Sequence, residues 1–88
     1  MFEWDPKKNR TNRSKHGISF ADTFAVFEDT YALTMEEDDG KEDRYVTMGM
    51  DCLGRILVVV YTWRGEGIRI ISARKATRSE QKHYESQL

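Results

Sequence analysis

The side chains of this sequence whose types and spacing could act on a substrate are cationic, and they fall in two stretches. In the first, Lys15 and His16 stand side by side before a glycine. In the second, Arg74, Lys75 and Arg78 follow a run of apolar residues. Arginine and lysine bind phosphate oxygens, and histidine exchanges a proton near neutral pH. These residue types favour either chemistry on a phosphate-bearing substrate or a solvated, charged surface.

Three further arginines are candidates for the same site. Arg69 stands between isoleucines, so it lies either on a solvent face or in a site that requires it. Arg44 and Arg64 flank predicted strand junctions and either join the cationic cluster or form salt bridges with the acidic loop. For His16 the simpler alternative is a helix cap, because a positive charge is stabilised at the C-terminal end of a helix.

Cleavage of RNA is one reaction that such residues support without a metal. The 2′-hydroxyl attacks the adjacent phosphate, and the protein supplies a base, an acid and cations. Cys52, His16 and His83 are far apart in the sequence and lack metal-ligand spacing. We therefore expect no metal site and no cofactor.

The net charge of −1 hides a strong segregation of charge along the chain. Residues 1–16 hold five Lys/Arg and two acids, residues 17–43 hold one Lys and nine acids, and residues 64–82 hold six Lys/Arg and two acids. A local basic patch is possible if the two basic segments meet. With one cysteine and no apolar signal segment, residues 1–88 are predicted to be one cytoplasmic domain without a membrane span.

Local signals predict three helices. Asp5 and Gly17 predict the ends of a basic helix over Pro6–His16. Ser19 predicts the start of a second helix, whose phenylalanine stripe at positions 20, 24 and 27 would pack on a sheet. Thr77, with Glu80 as its capping-box partner, predicts the start of a third. The third helix has little apolar surface, so it either packs weakly or is ordered by a partner.

Apolar alternation predicts the strands. Residues 56–63 are apolar on both faces, which is typical of a central strand covered on both sides. Residues 31–35, 45–50 and 68–73 would supply its neighbours, residues 2–4 a short edge strand, and residues 36–43 an acidic loop around Gly40. The fold class predicted is α+β, a mainly antiparallel sheet of about four strands with two N-terminal helices and one C-terminal helix.

Several segments together resemble the BrnT family, the small toxins of type II toxin–antitoxin pairs. The likeness covers nearly the whole chain and is most specific where a Lys-His-Gly step and a Ser-Ala-Arg-Lys-Ala-Thr block occur together. The segments that carry it are FEWDPKK at 2–8, KHGISF at 15–20, EDRY at 42–45, LVVVYT at 57–62 and IRIISARKAT at 68–77.

The resemblance implies a RelE-like fold and a ribonuclease that inhibits translation. It also implies a cognate DNA-binding antitoxin that neutralises the toxin, often in a heterotetramer with two copies of each chain. Operator DNA would be reached only through that antitoxin. The alternative function is a non-catalytic module that binds the antitoxin and contributes to operon autoregulation.

Site residues follow from positions that match the polar pattern of the family. We predict Arg74 and Arg64 as phosphate stabilisers and His16 as the proton shuttle, supported by Lys15. The remaining candidates are predicted to bind the RNA, and they are Lys8, Arg44, Arg69, Arg78 and Tyr84. Trp63 is a departure, since family members often carry an acid there, and its ring is suited to stacking on a base.

Overall fold

The computed structural model describes residues 1–38 and 43–88, which form a five-stranded sheet and three α-helices. None of the helices in these two ranges is long and apolar enough to cross a membrane. In chain order the elements are β1 (Phe2–Glu3), α1 (Pro6–His16), a 3₁₀ helix (Phe20–Thr23), α2 (Phe24–Glu28), β2 (Leu33–Asp38), β3 (Asp43–Met50), β4 (Ile56–Arg64), β5 (Gly67–Lys75) and α3 (Arg78–Glu85).

Helix α1 has the ends that its sequence predicts. The carboxylate of Asp5 accepts a hydrogen bond from the backbone N–H of Lys7, and Pro6 occupies the first turn. Gly17 ends the helix at φ 73°, a left-handed conformation that glycine adopts without strain. The caps therefore fix where the helix begins and ends, and the basic side chains project from a regular helix.

The predicted second helix is wrong in its first turn, which is a 3₁₀ helix followed by the short helix α2. The hydroxyl of Thr23 donates to the carbonyl of Phe20 at 2.7 Å, and this local bond favours the tighter turn. The Ser19 hydroxyl caps the 3₁₀ helix by accepting from Ala21, as an N-cap residue does. Of the predicted phenylalanine stripe, Phe20 is fully buried and Phe27 packs against the core, whereas Phe24 is 41% exposed.

The α+β prediction is confirmed, but the sheet has five strands rather than about four. Its order is β1-β5-β4-β3-β2, with β4 in the middle as its apolar run predicts. Strands β2 to β5 are antiparallel, whereas β1 pairs with β5 in parallel through only two residues. Strands β2 and β3 also extend into the predicted acidic loop, whose centre at residues 39–42 lies outside the described residues.

One face of the sheet packs against the N-terminal helices and forms the main core. Leu57 and Val59 of β4 are completely buried there, together with Ile18 and Phe20 from the helical layer. Gly49 of β3 lies under Val26, where an added Cβ would come within 3.1 Å of that side chain. Burial of this layer fixes which residues of each strand remain on the opposite, open face.

A β-bulge in β5 changes the alternation of its side chains. Val60 of β4 pairs with Ser72, whereas Tyr61 pairs with Ile70, so Ile71 is an additional residue on β5. The bulge lets Ile70 and Ala73 both reach the core, and it turns Ile71 and Ser72 toward helix α1.

Asn12 connects helix α1 to the edge of β5. Its amide nitrogen donates to the carbonyls of Ile18 at 2.9 Å and Ala73 at 2.8 Å, and its amide oxygen accepts from the Ala73 N–H at 3.2 Å. The buried side chain therefore pairs with the strand edge beyond the point where β1 ends, as a neighbouring strand would.

Replacing Asn12→Ala should lower the free energy of unfolding by about 3 kcal/mol. The change leaves the buried N–H and C=O of Ala73 without these partners, at a cost of about 1–3 kcal/mol for each group. Urea unfolding measures the difference, with Arg10→Ala on the exposed side of α1 as the control. A loss for Asn12→Ala as small as the control's would contradict the role given to this side chain.

Candidate active site

Helix α1 and strand β5 enclose a basic recess of about 300 Å³, which brings together three of the predicted site residues, Lys8, Lys15 and His16. On a helix, residues four apart lie on one face, so the side chains at positions 7 or 8, 11 or 12, and 15 or 16 project in one direction. The complete lining is Lys7, Lys8, Thr11, Asn12, Lys15, His16, Ile71 and Ser72. Three ammonium groups and an imidazole around one recess suit an anionic ligand.

Strand β5 places a cation on each side of this recess. Ser72 pairs with Val60 and Arg74 with Val58, and since Val58 and Val60 share a face of β4, Arg74 lies on the same face as Ser72. On the other side of the bulge, Arg69 forms an ion pair with Glu3 of β1 at 3.8 Å. The recess therefore lies between two arginines of one strand.

Arg74 is held by the carboxylate of Glu80 at the start of α3. Its Nη1 and Nη2 atoms donate to the two Glu80 oxygens at 2.8 and 3.0 Å, and Nη1 also donates to the Lys75 carbonyl at 3.3 Å. Glu80 is fixed in turn by the capping box with Thr77. The hydrogen bond from Arg74, followed by that from the Thr77 backbone, lowers the pKa of Glu80 to about 2.

Arg64 and Arg74, both predicted to stabilise phosphate charge, lie far apart on the sheet. Arg64 pairs with Gly67 at the β4–β5 turn, and Arg74 lies seven residues further along β5. At about 3.3 Å per residue the two positions are roughly 20 Å apart. The two side chains therefore cannot contact one phosphate, and a phosphate contact of Arg64 would be with a different part of a long substrate.

Arg44 and Arg78 also lie outside the recess. Arg44 pairs in register with Glu37 at the β2–β3 end of the sheet. Arg78 lies on the outer side of α3, where it lines a shallow depression with Gln81, Lys82 and Glu85. Their predicted contacts with RNA would have to be made away from the reacting phosphate.

Trp63 lies on β4 near the same turn as Arg64. Its side chain is 51% exposed, and its ring meets Tyr61 edge to face with centroids 6.4 Å apart. The exposed part of the ring is accessible for stacking on a base. Like Arg64, it is distant from the recess along the sheet.

Tyr84, predicted to bind substrate, is buried and hydrogen-bonded in the structure. Only 2% of it is exposed, and its hydroxyl donates a short hydrogen bond to Asp29, which also accepts from the backbone of Met50 and Tyr31. Burial, then the hydrogen bond and charge of Asp29, raise the pKa of Tyr84 to about 12. Burial alone would raise the pKa of Asp29, but these three hydrogen bonds outweigh it and lower that pKa.

Five of the eight residues that line the recess were not predicted as site residues, and Lys7 and Ser72 are two of them. Lys7 could have been found, because its spacing of four and eight residues from Thr11 and Lys15 places all three on one helix face. Ser72 could not have been found from the sequence, because the bulge in β5 is what turns its side chain toward α1.

Comparison with known proteins agrees with this architecture. Residues 4–80 match the model of the family described as the ribonuclease toxin BrnT of type II toxin–antitoxin systems. The chain belongs to the BrnT family. Membership confirms the resemblance seen in the sequence and makes the recess of α1 and β5 a candidate ribonuclease site.

A solved BrnT structure has a similar fold. The crystal structure of the Brucella abortus ribonuclease toxin BrnT matches with a TM-score of 0.72 and 33% sequence identity. The match covers 89% of this chain and 99% of that chain. No curated protein sequence matches the chain.

Replacing Tyr84→Phe should lower the free energy of unfolding by about 2 kcal/mol, because a hydrogen bond to a charged group contributes about 1.5–3 kcal/mol. Thermal or urea unfolding near pH 7 checks this, with the half-exposed Tyr31→Phe as the matched control. RNA cleavage per folded molecule should be unchanged, whereas a substrate role for the hydroxyl would reduce it.

Replacing Glu80→Gln should remove a pH-dependent part of the stability. The pKa of Glu80 is lowered from 4.5 to about 2, so its contribution is complete above about pH 4.5 and is lost as the pH falls toward 2. Glutamine retains the capping box but not the charge, and solvent screens this half-exposed pair, so we expect a loss of about 1 kcal/mol at pH 7.

Unfolding measured from pH 7 to pH 2 tests this expectation, with Glu85→Gln on the outer side of α3 as the control. The wild type and the control should lose stability together as the pH falls below 4.5. If the unfolding free energy of Glu80→Gln falls with pH as steeply as that of the wild type in this range, the pair does not contribute as proposed.

Proposed function

We propose that this BrnT chain is an endoribonuclease that cleaves RNA without a metal ion at the recess between α1 and β5. The observation that carries the proposal is the position of Lys8, Lys15 and His16 around one recess, with Arg74 beside it on β5. The family supplies the general activity, since it consists of ribonuclease toxins. The position of the reaction and the roles of individual residues are our inference.

The reaction is a transfer of the phosphate from the 5′-oxygen of one nucleotide to the 2′-oxygen of the preceding one. His16 accepts the proton of the attacking 2′-hydroxyl as the new P–O bond forms. The P–O5′ bond then breaks, and the proton passes to the departing 5′-oxygen. The products are a 2′,3′-cyclic phosphate and a 5′-hydroxyl, and His16 returns to its starting state.

Lys15 and Arg74 would stabilise the charge that accumulates on the phosphate oxygens in the transition state. Lys15 lies next to His16 in the sequence and lines the same recess. The guanidinium of Arg74 has five N–H groups, and its contacts with Glu80 and Lys75 use three of them. The group can therefore contact a phosphate while Glu80 keeps it in position.

The other predicted cations would hold the RNA on either side of the reacting phosphate. Lys8, together with Lys7, extends the recess toward the start of α1, and Arg69 flanks it on β5. We retain Arg44, Arg64 and Arg78 only as contacts to more distant nucleotides. The residues that line the recess include no carboxylate. Because hard divalent cations bind oxygen ligands, the ammonium groups and the imidazole of this recess suit a phosphate better than such a cation.

The partner of a type II toxin is an antitoxin, and the finer statements about it are proposals. We infer that the antitoxin binds DNA, that operator DNA is reached only through it, and that two copies of each chain form a heterotetramer. From the family we also infer that the antitoxin neutralises this chain, that the chain inhibits translation, and that it is cytoplasmic. The non-catalytic module is tested by the experiment below.

His16→Asn and Arg74→Lys should each reduce cleavage of single-stranded RNA at least about 100-fold in buffer containing EDTA. Loss of a proton shuttle or of a bidentate phosphate contact has effects of about 10²–10⁴. Electrophoresis of a labelled RNA, with detection of cyclic phosphate ends, gives the rates. Arg13→Ala on the other side of α1 and Lys75→Ala next to Arg74 are the matched controls.

Each variant is compared at equal folded fraction, determined by unfolding. Cleavage that persists in His16→Asn and Arg74→Lys would place the reaction elsewhere. Wild-type protein that cleaves neither free RNA nor RNA on ribosomes would favour the non-catalytic module.

A further inference from the structure

Ser72 lines the recess from strand β5, and no role in cleavage has been given to its hydroxyl. The residue is half-buried beneath helix α1. Within the parts of the chain that the structure describes, its hydroxyl forms no hydrogen bond. A serine hydroxyl can donate one hydrogen bond and accept two, so this one is available to a ligand in the recess.

Neighbouring hydroxyls are used by the fold, in contrast to that of Ser72. Thr11, the other hydroxyl residue that lines the recess, donates to the carbonyl of Lys7 at 3.1 Å. Thr62 lies on the same face of the sheet as Ser72 and donates to the carbonyl of Asp43 at 2.8 Å. The hydroxyl of Ser72 is therefore distinguished by being held at the recess without a structural bond.

The β-bulge is what brings this hydroxyl to the recess. In a regular strand Ser72 would share a face with Ile70, because residues two apart lie on one side of a sheet. Ile70 is 1% exposed in the core, so a regular strand would bury the serine there. The additional residue Ile71 places Ser72 opposite Val60 instead. Bulges often occur next to active sites, where they redirect a side chain.

A hydroxyl in this position suits a phosphate that is also bound by cations. Lys15 and His16 line the recess from α1, whereas Ser72 lines it from the sheet. Arg74 follows Ser72 on the same face, about 7 Å further along the strand. A short side chain on a strand is a well-fixed donor, and fixed donors aimed at developing charge stabilise a transition state.

We propose that Ser72 is a catalytic residue whose hydroxyl donates a hydrogen bond to a non-bridging oxygen of the scissile phosphate. Lys15 and Arg74 stabilise the charge on the same group, and His16 moves the proton. The inference rests on the proposed function, because it adds a donor at the phosphate that reacts there. It also gives a function to the irregularity between β4 and β5.

The test measures cleavage of one labelled single-stranded RNA by Ser72→Ala and Ser72→Thr. The first variant removes the hydroxyl, and the second conserves it. Ser14→Ala is the matched control, since Ser14 is exposed on the other side of α1. His16→Asn is measured with the same RNA. Urea unfolding of each variant gives the folded fraction.

We expect Ser72→Ala to lower kcat about tenfold, which corresponds to about 1.4 kcal/mol of transition-state stabilisation. KM should stay within about threefold, because the bond strengthens as charge accumulates in the transition state. Ser72→Thr and Ser14→Ala should cleave within about threefold of the wild type. Ser72→Ala should unfold at the same urea concentration as the wild type, because the fold loses no hydrogen bond.

A second substrate tests the contact itself. Sulfur is a weak hydrogen-bond acceptor, so replacing the contacted oxygen of the scissile phosphate by sulfur should slow the wild type. The two phosphorothioate diastereomers are assayed separately, and one of them should carry this effect. In Ser72→Ala the slowing of that diastereomer should be smaller, since the bond is already absent. A merely structural role of Ser72 would leave the ratio of the oxygen and sulfur rates unchanged.

Two results would overturn the assignment of Ser72. One is a Ser72→Ala variant that cleaves as fast as the wild type, and the other is an unchanged ratio of oxygen and sulfur rates in that variant. His16→Asn separates these from failure of the proposed function. Loss of cleavage in His16→Asn alone removes only Ser72 from the site, whereas a wild type without cleavage overturns both proposals. Loss in Ser72→Ala alone would overturn the proton shuttle and leave Ser72 assigned.

Discussion

The side chain of Asn12 holds the basic helix α1 against the edge of strand β5, and the candidate active site depends on that junction. A strongly basic, almost wholly polar helix has little apolar surface with which to dock. Its attachment is instead polar and buried, through hydrogen bonds to Ala73 and Ile18. Lys15 and His16 follow Asn12 by one helical turn, so this attachment also positions them over Ile71 and Ser72.

The fold places the basic and the acidic segments of the chain near opposite edges of one sheet. The basic N-terminal segment lies beside β5, whereas the acidic segment forms β2 at the opposite edge. The net charge of the chain is close to zero, but the electrostatic potential is expected to be positive near the β5 edge and negative near the β2 edge. The basic recess and the acidic strand β2 are therefore separated by the width of the sheet in a chain of 88 residues.

The Arg74–Glu80 pair joins strand β5 to helix α3. Arg74 belongs to the strand that flanks the recess, and Glu80 belongs to the capping box that begins α3. The arginine proposed to stabilise phosphate charge is therefore held by the first turn of a helix, and its position depends on that helix being formed.

The sequence by itself determined what depends on neighbouring residues. Asp5 and Gly17 set the ends of α1, alternation set the antiparallel strands, and Thr77 set the start of α3. Caps, turns and strand patterns act through backbone groups within a few positions, so they can be read locally. Only the tertiary structure decided that Tyr84 is buried and that Ser72 faces α1. The burial of Tyr84 depends on a hydrogen bond to Asp29, 55 positions away, and the docking of α1 on β5 depends on the bond between Asn12 and Ala73, 61 positions apart. The orientation of Ser72 depends in addition on the bulge between β4 and β5, and local preferences encode none of these contacts.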